Sequence, residues 1–460
     1  MTGSVENQMM GSTSCKQASV LELAQRAKTA ANTLAGITAS QRNLALNSIA
    51  ESIGANVKDI LEANKADLKA AEILLAEGKI SQTLVDRLKL DENKLSSVLK
   101  GIQQLSKMAD PLGKIDLDRE LDTNLELQRV TCPIGLIAVI FEARPDALPQ
   151  IASLCLKSGN AIILKGGAEA EHSNRALFAC LKKAAVTAGL PGDSLVLLET
   201  RSDVNELLKA DRFVDLVIPR GSNALVRFIQ DNTRIPVLGH AEGVCHIYVD
   251  DSADTEKAVS IIRDAKVQYP SACNAVETIL IHQNIAPQVM PVLARALTEQ
   301  KVSMRCDPLS LKLAGAETLT SPARKEDWGT EYGELILAVK VVKDIDEAIE
   351  HINRYGSGHT ETMIGSDQKR FDKFFAQVNS AGVYYNASTR FADGYRYGFG
   401  AEVGISTAKQ HPRGPVGIEG LVTYKYKLVG DGHIVADYVG SNAKQFTHTD
   451  LNEQQKQEKK

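Results

Sequence analysis

Ile134-Gly135-Leu136-Ile137-Ala138-Val139-Ile140-Phe141 follows Pro133 and runs into Glu142-Ala143-Arg144-Pro145. The run holds no charge over eight residues, far short of the ~20 that a membrane-spanning helix needs. Its length and its apolar character instead read as a strand buried on both faces. Beyond it, Leu148, Ile151, Leu154 and Leu156 fall at helical spacing, 161–164 starts a second apolar strand, and 169–188 reads as the next helix. Strands at 195–198, 214–218 and 245–249 continue the series, with helices near 203–210 and 223–231. Apolar strands alternating with amphipathic helices predict an α/β fold, a parallel sheet covered on both sides. A second unit of the same kind begins near Thr255, with strands at 278–281 and 335–342.

Toward the amino terminus the pattern changes. Residues 1–15 are small and polar and are expected to be disordered. From about Gln17 to Gly101 the reading is helical, with Leu44, Ile49, Ile53, Val57, Ile60 and Leu61 on the apolar side and Ser40 as the cap of the longest helix. Leu117, Leu121, Leu125 and Leu127 flank the turn-like Asp122-Thr123-Asn124, which predicts a hairpin standing apart from the helices. At the other end, residues 422–428 alternate cleanly enough for an edge strand, and the tail after Asn442 is polar and solvated.

Composition narrows the function. A hydrophobic fraction of 43% with 24% charged residues is that of a globular chain, long enough for two to three domains. Lys+Arg 53 against Asp+Glu 57 leaves a net charge of −4, without the basic stripe of a nucleic-acid binder. Seven cysteines, at 15, 132, 155, 180, 245, 273 and 306, form no C-x-x-C pair, as expected of reduced thiols in a cytoplasmic protein. Glu6, Asn7 and Gln8 lie where a secretory signal would carry its apolar core.

Three segments can carry chemistry. Residues 214–223 end in Pro219-Arg220-Gly221-Ser222-Asn223 and run into a helix, so backbone N–H groups and the helix dipole there favour an anion. Taken alone, the segment is more often an ordinary capped helix, since it lacks G-x-G-x-x-G. Lys165 closes an apolar strand ahead of Gly166-Gly167, where open α/β sheets bind ligands, though a solvent-facing turn lysine reads equally well. Tyr269-Pro270-Ser271-Ala272-Cys273-Asn274-Ala275 surrounds Cys273 with small and polar neighbours, unlike Cys155 and Cys180 on apolar helix faces. A reachable thiol fits, but most lone cysteines are small core residues. Gly398-Phe399-Gly400 with Gly404 has the wrong spacing for a nucleotide loop, and His240 and His246 about Glu242 fit no metal motif. Arg390, Arg396 and Arg413 lie among glycines and aromatics, in a surface loop or an anion pocket.

Together these segments resemble one family. Cys273-Asn274-Ala275-Val276-Glu277-Thr278 is similar to the nucleophile segment of the γ-glutamyl phosphate reductases, a divergent branch of the aldehyde dehydrogenase superfamily. Residues 342–363, with Ala348, His351-Ile352, Tyr355-Gly356-Ser357 and His359-Thr360-Glu361, resemble that family's signature, Met363 standing where isoleucine is usual. Tyr385-Asn386-Ala387-Ser388-Thr389-Arg390-Phe391, the segment 400–407 and Arg413-Gly414-Pro415 match in the same order, so the likeness spans about 17–450.

The resemblance implies an aldehyde-dehydrogenase-like fold of two Rossmann-like α/β domains with a β-hairpin oligomerisation arm. Residues 1–255 would bind the cofactor and 256–390 present the nucleophile. Residues 391–460 would form a return segment, an oligomerisation strand and the polar tail. It implies Cys273 as nucleophile, Arg144, Asn386 and Arg390 as substrate contacts, and Lys165, Gly221, Ser222 and Asn223 as residues that hold NADPH, with no metal. Arg144 falls near the asparagine that polarises the substrate carbonyl in the general enzymes. Their Glu-Leu-Gly-Gly motif, whose glutamate activates water, is broken here to Gly239-His240-Ala241-Glu242-Gly243-Val244. The implied reaction is reduction of L-glutamyl 5-phosphate to glutamate 5-semialdehyde in proline biosynthesis, by a homo-oligomer in the cytoplasm. Association with glutamate 5-kinase, the supplier of the labile acyl phosphate, stays open. The alternatives are a hydrolytic aldehyde dehydrogenase, a cysteine acyltransferase or amidase that needs no nicotinamide, and an inactive paralogue that only binds.

Overall fold

In the computed structural model, residues 18–239 and 242–452 are described. The amino-terminal stretch expected to be disordered and the last residues of the tail lie outside them. Five helices come first: α1 (Val20–Leu34), α2 (Ala39–Ala55), α3 (Val57–Ala76), α4 (Gln82–Leu88) and α5 (Glu92–Lys107). α1 opens on a reciprocal cap, in which Ser19 Oγ accepts from Glu22 N–H and the Glu22 carboxylate accepts from Ser19 N–H. α2 is capped by Thr38 and not by Ser40: Thr38 keeps extended backbone angles (φ −66°, ψ 155°), whereas Ser40 already lies inside the first turn. Leu44 is 56% exposed, against expectation. The buried stripe of α2 runs through Leu46, Ile49, Ala50 and Ile53, and Leu44, two residues before Leu46, projects from the opposite side.

The hairpin β1 (Ile115–Asp122) and β2 (Leu125–Pro133) follows. Its turn is Thr123-Asn124, with Asn124 at φ 63°, the left-handed region that asparagine tolerates better than most residues. The first parallel sheet then forms from β3 (Leu136–Phe141), β4 (Ala161–Lys165), β5 (Leu195–Leu198) and β6 (Leu216–Arg220), in the order β5-β4-β3-β6. α6 (Ala147–Lys157), α7 (Glu171–Thr187), α8 (Arg201–Leu207) and α9 (Asn223–Asn232) connect or follow these strands. Alternation within β3 decides the layers. Ile137, Val139 and Phe141 pack with α2, α5, α6 and α7, while Leu136, Ala138 and Ile140 pack with α1 and α8.

β7 (Cys245–Val249) was read with the first unit, but its hydrogen-bonded neighbours are β8 (Val276–His282) and β12 (Thr360–Ile364) of the second sheet. An apolar strand shows burial in its sequence and not its partner. Between these come α10 (Thr255–Val267), α11 (Ala286–Glu299), β9 (Ser303–Cys306), α12 (Pro308–Ala314), β10 (Thr320–Pro322), β11 (Ile336–Val342) and α13 (Ile345–Tyr355). β12 (Thr360–Ile364), α14 (Gln368–Gln377) and β13 (Gly382–Tyr385) complete a seven-stranded parallel sheet in the order β10-β9-β11-β8-β7-β12-β13. α10 and α11 cover one side of it, α13 and α14 the other. β9, β10, β12 and β13 escaped the sequence reading, because they are short and open on polar residues or glycine, without the unbroken apolar run of β4 and β5.

A two-residue pair, β14 (Ile405–Ser406) and β15 (Gly414–Pro415), precedes β16 (Val422–Val429) and β17 (Thr449–Asp450). β16 pairs with β2 and β17 with β1, which makes a separate antiparallel sheet, β16-β2-β1-β17. β16 is its edge, with all but Val422 exposed.

Candidate active site

The strand-turn-helix at β6–α9 ends two residues later than its apolar pattern suggested, so Arg220 is the last residue of the strand. Ser222 caps α9. The Glu142 carboxylate, from the end of β3, accepts from Ser222 N–H at 2.7 Å and from its hydroxyl at 3.3 Å. A methyl group at Gly221 would lie 2.6 Å from Glu142 Cδ, so a side chain there would displace this carboxylate. Asn223 reaches across to the Glu331 carboxylate at 3.3 Å.

Opposite this turn lies Cys273, on the loop between α10 and β8. Asn274 donates to the Ala392 carbonyl at 2.8 Å, and the Thr389 hydroxyl donates to the Asn274 carbonyl at 2.7 Å, so the 385–391 motif anchors the nucleophile loop. Gly243 backs it: a Cβ there would sit 2.6 Å from Cys273 Cα. The Cys245 thiol donates to the Cys273 carbonyl at 3.4 Å. Cys155, Cys245 and Cys306 are buried, and burial raises each thiol above its usual range. Cys273 is half-buried and opens into a cleft of about 540 Å³.

Arg144, Arg220, Gly221, Ser222, Asn223, Cys273 and Arg390 all line that cleft. Arg144 is exposed and follows Ala143, whose φ of 36° is unusual for a residue with a side chain. Arg390 is buried; its Nε donates to Gln268 at 2.9 Å and its guanidinium lies 5.8 Å from the Tyr269 ring centroid. Burial lowers its proton affinity, Arg396 lowers it further, and the Cys273 sulfur acts in the opposite sense. Arg396, read from sequence as in a surface loop or an anion pocket, lines the same cleft, as do Arg220, Glu331, Asp393 and Glu402, which were not singled out as candidates. Reading β6 to its true end would have placed Arg220 at the carboxyl edge of a parallel strand, where ligands bind.

Two site residues named from sequence lie elsewhere. Lys165 is buried at the end of β4, its ammonium on the Gly166 carbonyl, beside a shallow depression lined by Gly166, Gly167, Arg175 and Glu199. Burial lowers the proton affinity of Lys165, opposed by Glu169 and Asp203. Asn386, at φ 53°, clasps the backbone of Gly365, accepting from its N–H at 3.0 Å and donating to its carbonyl at 2.8 Å. Glu242 is ion-paired with Arg227 and is not among the cleft residues, while His240 and Ala241 lie outside the described residues. His246 and Glu361 are fully buried, 3.2 Å apart, behind Gly356. Among the described residues no group of three or more His, Cys, Asp or Glu side chains could hold a metal ion, and no helix is long and apolar enough to cross a membrane.

An accessible thiol between two parallel α/β sheets, with cations on its walls, is an arrangement suited to acyl transfer. The chain belongs to the aldehyde dehydrogenase family, whose model matches residues 4–311. Its branch is that of the γ-glutamyl phosphate reductases. Proteins of that name from Cyanothece and Synechococcus elongatus are 54% and 55% identical, over 94% and 93% of this chain and 98% and 97% of their own. The crystal structure of γ-glutamyl phosphate reductase from Thermotoga maritima, 39% identical, superposes with a TM-score of 0.87 over 91% of this chain and 100% of that one.

Proposed function

We propose that the chain reduces L-glutamyl 5-phosphate to L-glutamate 5-semialdehyde with release of phosphate, the NADPH-dependent step of proline biosynthesis, through a thioester on Cys273. The observation that carries this reading is the cleft, where an accessible thiol meets Arg144 and Arg390 below the open end of α9.

The Cys273 thiolate attacks the γ-carbonyl, and the bond from carbon to the phosphate oxygen breaks. Arg144 and Arg390 hold the departing phosphate, because a planar guanidinium can give it two charge-assisted hydrogen bonds. The residues of the β6–α9 turn fit a nicotinamide dinucleotide, as the lodging of the Glu142 carboxylate on both Ser222 donors supports an oxyanion site there. Gly221, Ser222 and Asn223 would hold its phosphates, and Lys165 a ribose 2′-phosphate. Bound there, the nicotinamide supplies the hydride that takes the thioester to the aldehyde level. Asn386 serves from behind, through its clasp on Gly365. Glu242, tied to Arg227, is poorly placed to activate water, which favours phosphate over hydrolysis. The exposed edge of β16 is a pairing surface for a second copy, and the free cysteines are in keeping with a cytoplasmic enzyme. Contact with glutamate 5-kinase belongs to this reading as a partner to be tested by co-purification.

The experiment is run in reverse. With glutamate 5-semialdehyde and NADP⁺, reduction should stop after one turnover without phosphate, saturate as phosphate is added, and accept arsenate instead. Steady full-rate turnover without either would make water the acyl acceptor and return Glu242 as the base. Absence of any thermal stabilisation by NADPH would point to a cysteine acyltransferase.

A further inference from the structure

Arg220 comes from the sheet opposite the nucleophile. It closes β6, immediately before the Gly221 turn, and enters the same cleft as Cys273. Its backbone carbonyl is taken by Glu142 N–H at 3.0 Å, which fixes the strand end, and one guanidinium nitrogen donates to the Glu402 carbonyl at 3.1 Å. Among the described residues it makes no ion pair with a carboxylate, in contrast to Arg26, Arg42 and Arg370. The guanidinium keeps further donors for another acceptor.

Such a placement is costly unless something anionic fills the cleft. A half-buried cation without a paired charge loses hydration that one carbonyl does not restore. Burial disfavours the charge of Arg220; Glu402 acts in its favour, Arg144 against it, and the Cys273 sulfur and Asp146 more weakly in its favour. Arg390 feels the same sulfur from the other wall but has already committed its Nε to Gln268. Arg144, Arg220 and Arg390 thus line one cleft with the thiol, beside Glu142, Glu331, Asp393 and Glu402, and a planar guanidinium with free donors there suits a phosphate better than a carbonyl oxygen alone.

We propose that Arg220 is a catalytic residue, whose guanidinium grips the phosphate of the acyl phosphate as it leaves. This rests on the reading that phosphate is the leaving group. As the sulfur–carbon bond forms, the carbon–oxygen bond breaks and its electron pair passes to the phosphate oxygen. Arg220 stays protonated throughout, and no further reactant is needed.

The test compares Arg220→Gln and Arg220→Lys with the unaltered protein. In the cofactor-free protein, alkylation of Cys273 by iodoacetamide is followed on its peptide by mass spectrometry, against inorganic phosphate. Phosphate should protect the unaltered thiol saturably. In R220Q half-protection should need about tenfold more phosphate or beyond, the scale of one lost charge-assisted hydrogen bond. In the phosphate-dependent oxidation, KM for phosphate should rise likewise while the first-turnover burst of NADPH persists. R220K, a cation without the planar fork, should fall between. Unchanged protection in R220Q overturns the proposal. So does equal damage in both variants with a lost burst, the mark of a structural residue. If the unaltered enzyme turns over steadily without phosphate, the reaction assigned above fails, and phosphate protection of Cys273 still decides the part played by Arg220.

Discussion

Gly243 shows how closely the nucleophile is held. Its missing side chain leaves the space that the Cys273 backbone fills, and a Cβ there would lie 2.6 Å from both Cys273 Cα and Cβ. Gly243→Ala should push the loop out of register, costing about 1–3 kcal/mol of stability as overpacking does. It should cost kcat by a far larger factor than that loss implies. Parallel urea titrations and single-turnover kinetics would check both, and wild-type kcat would mean that the loop yields freely. His351 makes a second residue-scale case. Burial pushes its imidazole down to about 3, helped by His246, Lys340 and Arg354. Its unfolded pKa is about 6.5. Between the two values the unfolded chain binds a proton that the folded chain refuses. Its contribution is therefore fully present above about pH 6.5 and is lost as pH falls toward about 3, at about 1.4 kcal/mol per pH unit. His351→Phe, among the rings of Trp328 and Tyr355, should flatten that acid limb of stability against pH. A slope as steep as before would assign the acid sensitivity to other groups.

The informative elements are those whose two sides differ. β16 keeps Val422 against the body and leaves Tyr424 50%, Tyr426 58% and Leu428 57% exposed on a sheet edge with free pairing groups. An apolar edge of this kind invites another strand. Leu428→Lys should shift the protein to a smaller species in light scattering and leave helix content unchanged. Retention of the same mass would put the interface elsewhere. The 422–428 alternation was visible in the sequence, and so was the hairpin around Asn124. β9, β10, β12 and β13 were not, since a short strand that opens on polar residues or glycine lacks the apolar run that marked β4 and β5.

Across the whole molecule, the cleft has one wall from each sheet: Arg220 and Ser222 from the first, Cys273 and Arg390 from the second. A ligand that touches both walls ties the sheets together, and anything that binds only the folded state raises its stability, by about 2.7 kcal/mol at a hundred times its Kd. NADP⁺ should thus raise Tm in the unaltered protein and equally in Cys273→Ala, which should have no turnover, because the contacts proposed for the dinucleotide are those of Lys165 and the β6–α9 turn and not of the thiol. Loss of the shift in Cys273→Ala would mean that the thiol loop itself holds the dinucleotide.

Sequence by itself determined the α/β class, the hairpin and the nucleophile segment, because burial of both strand faces, a turn asparagine and a cysteine among small residues are local properties. The motif around Cys273-Asn274 also carried the family. What the tertiary structure decided was assignment across distance. β7 joined the second sheet rather than the first, since a buried strand is apolar whichever neighbours it pairs with. Asn386 turned to Gly365, and Lys165 to the carbonyl of Gly166, because a motif gives a residue's neighbours in the chain and not the direction of its side chain. Arg220 became visible only once β6 was seen to end on it and Glu402 to hold it, contacts made over 182 residues of chain.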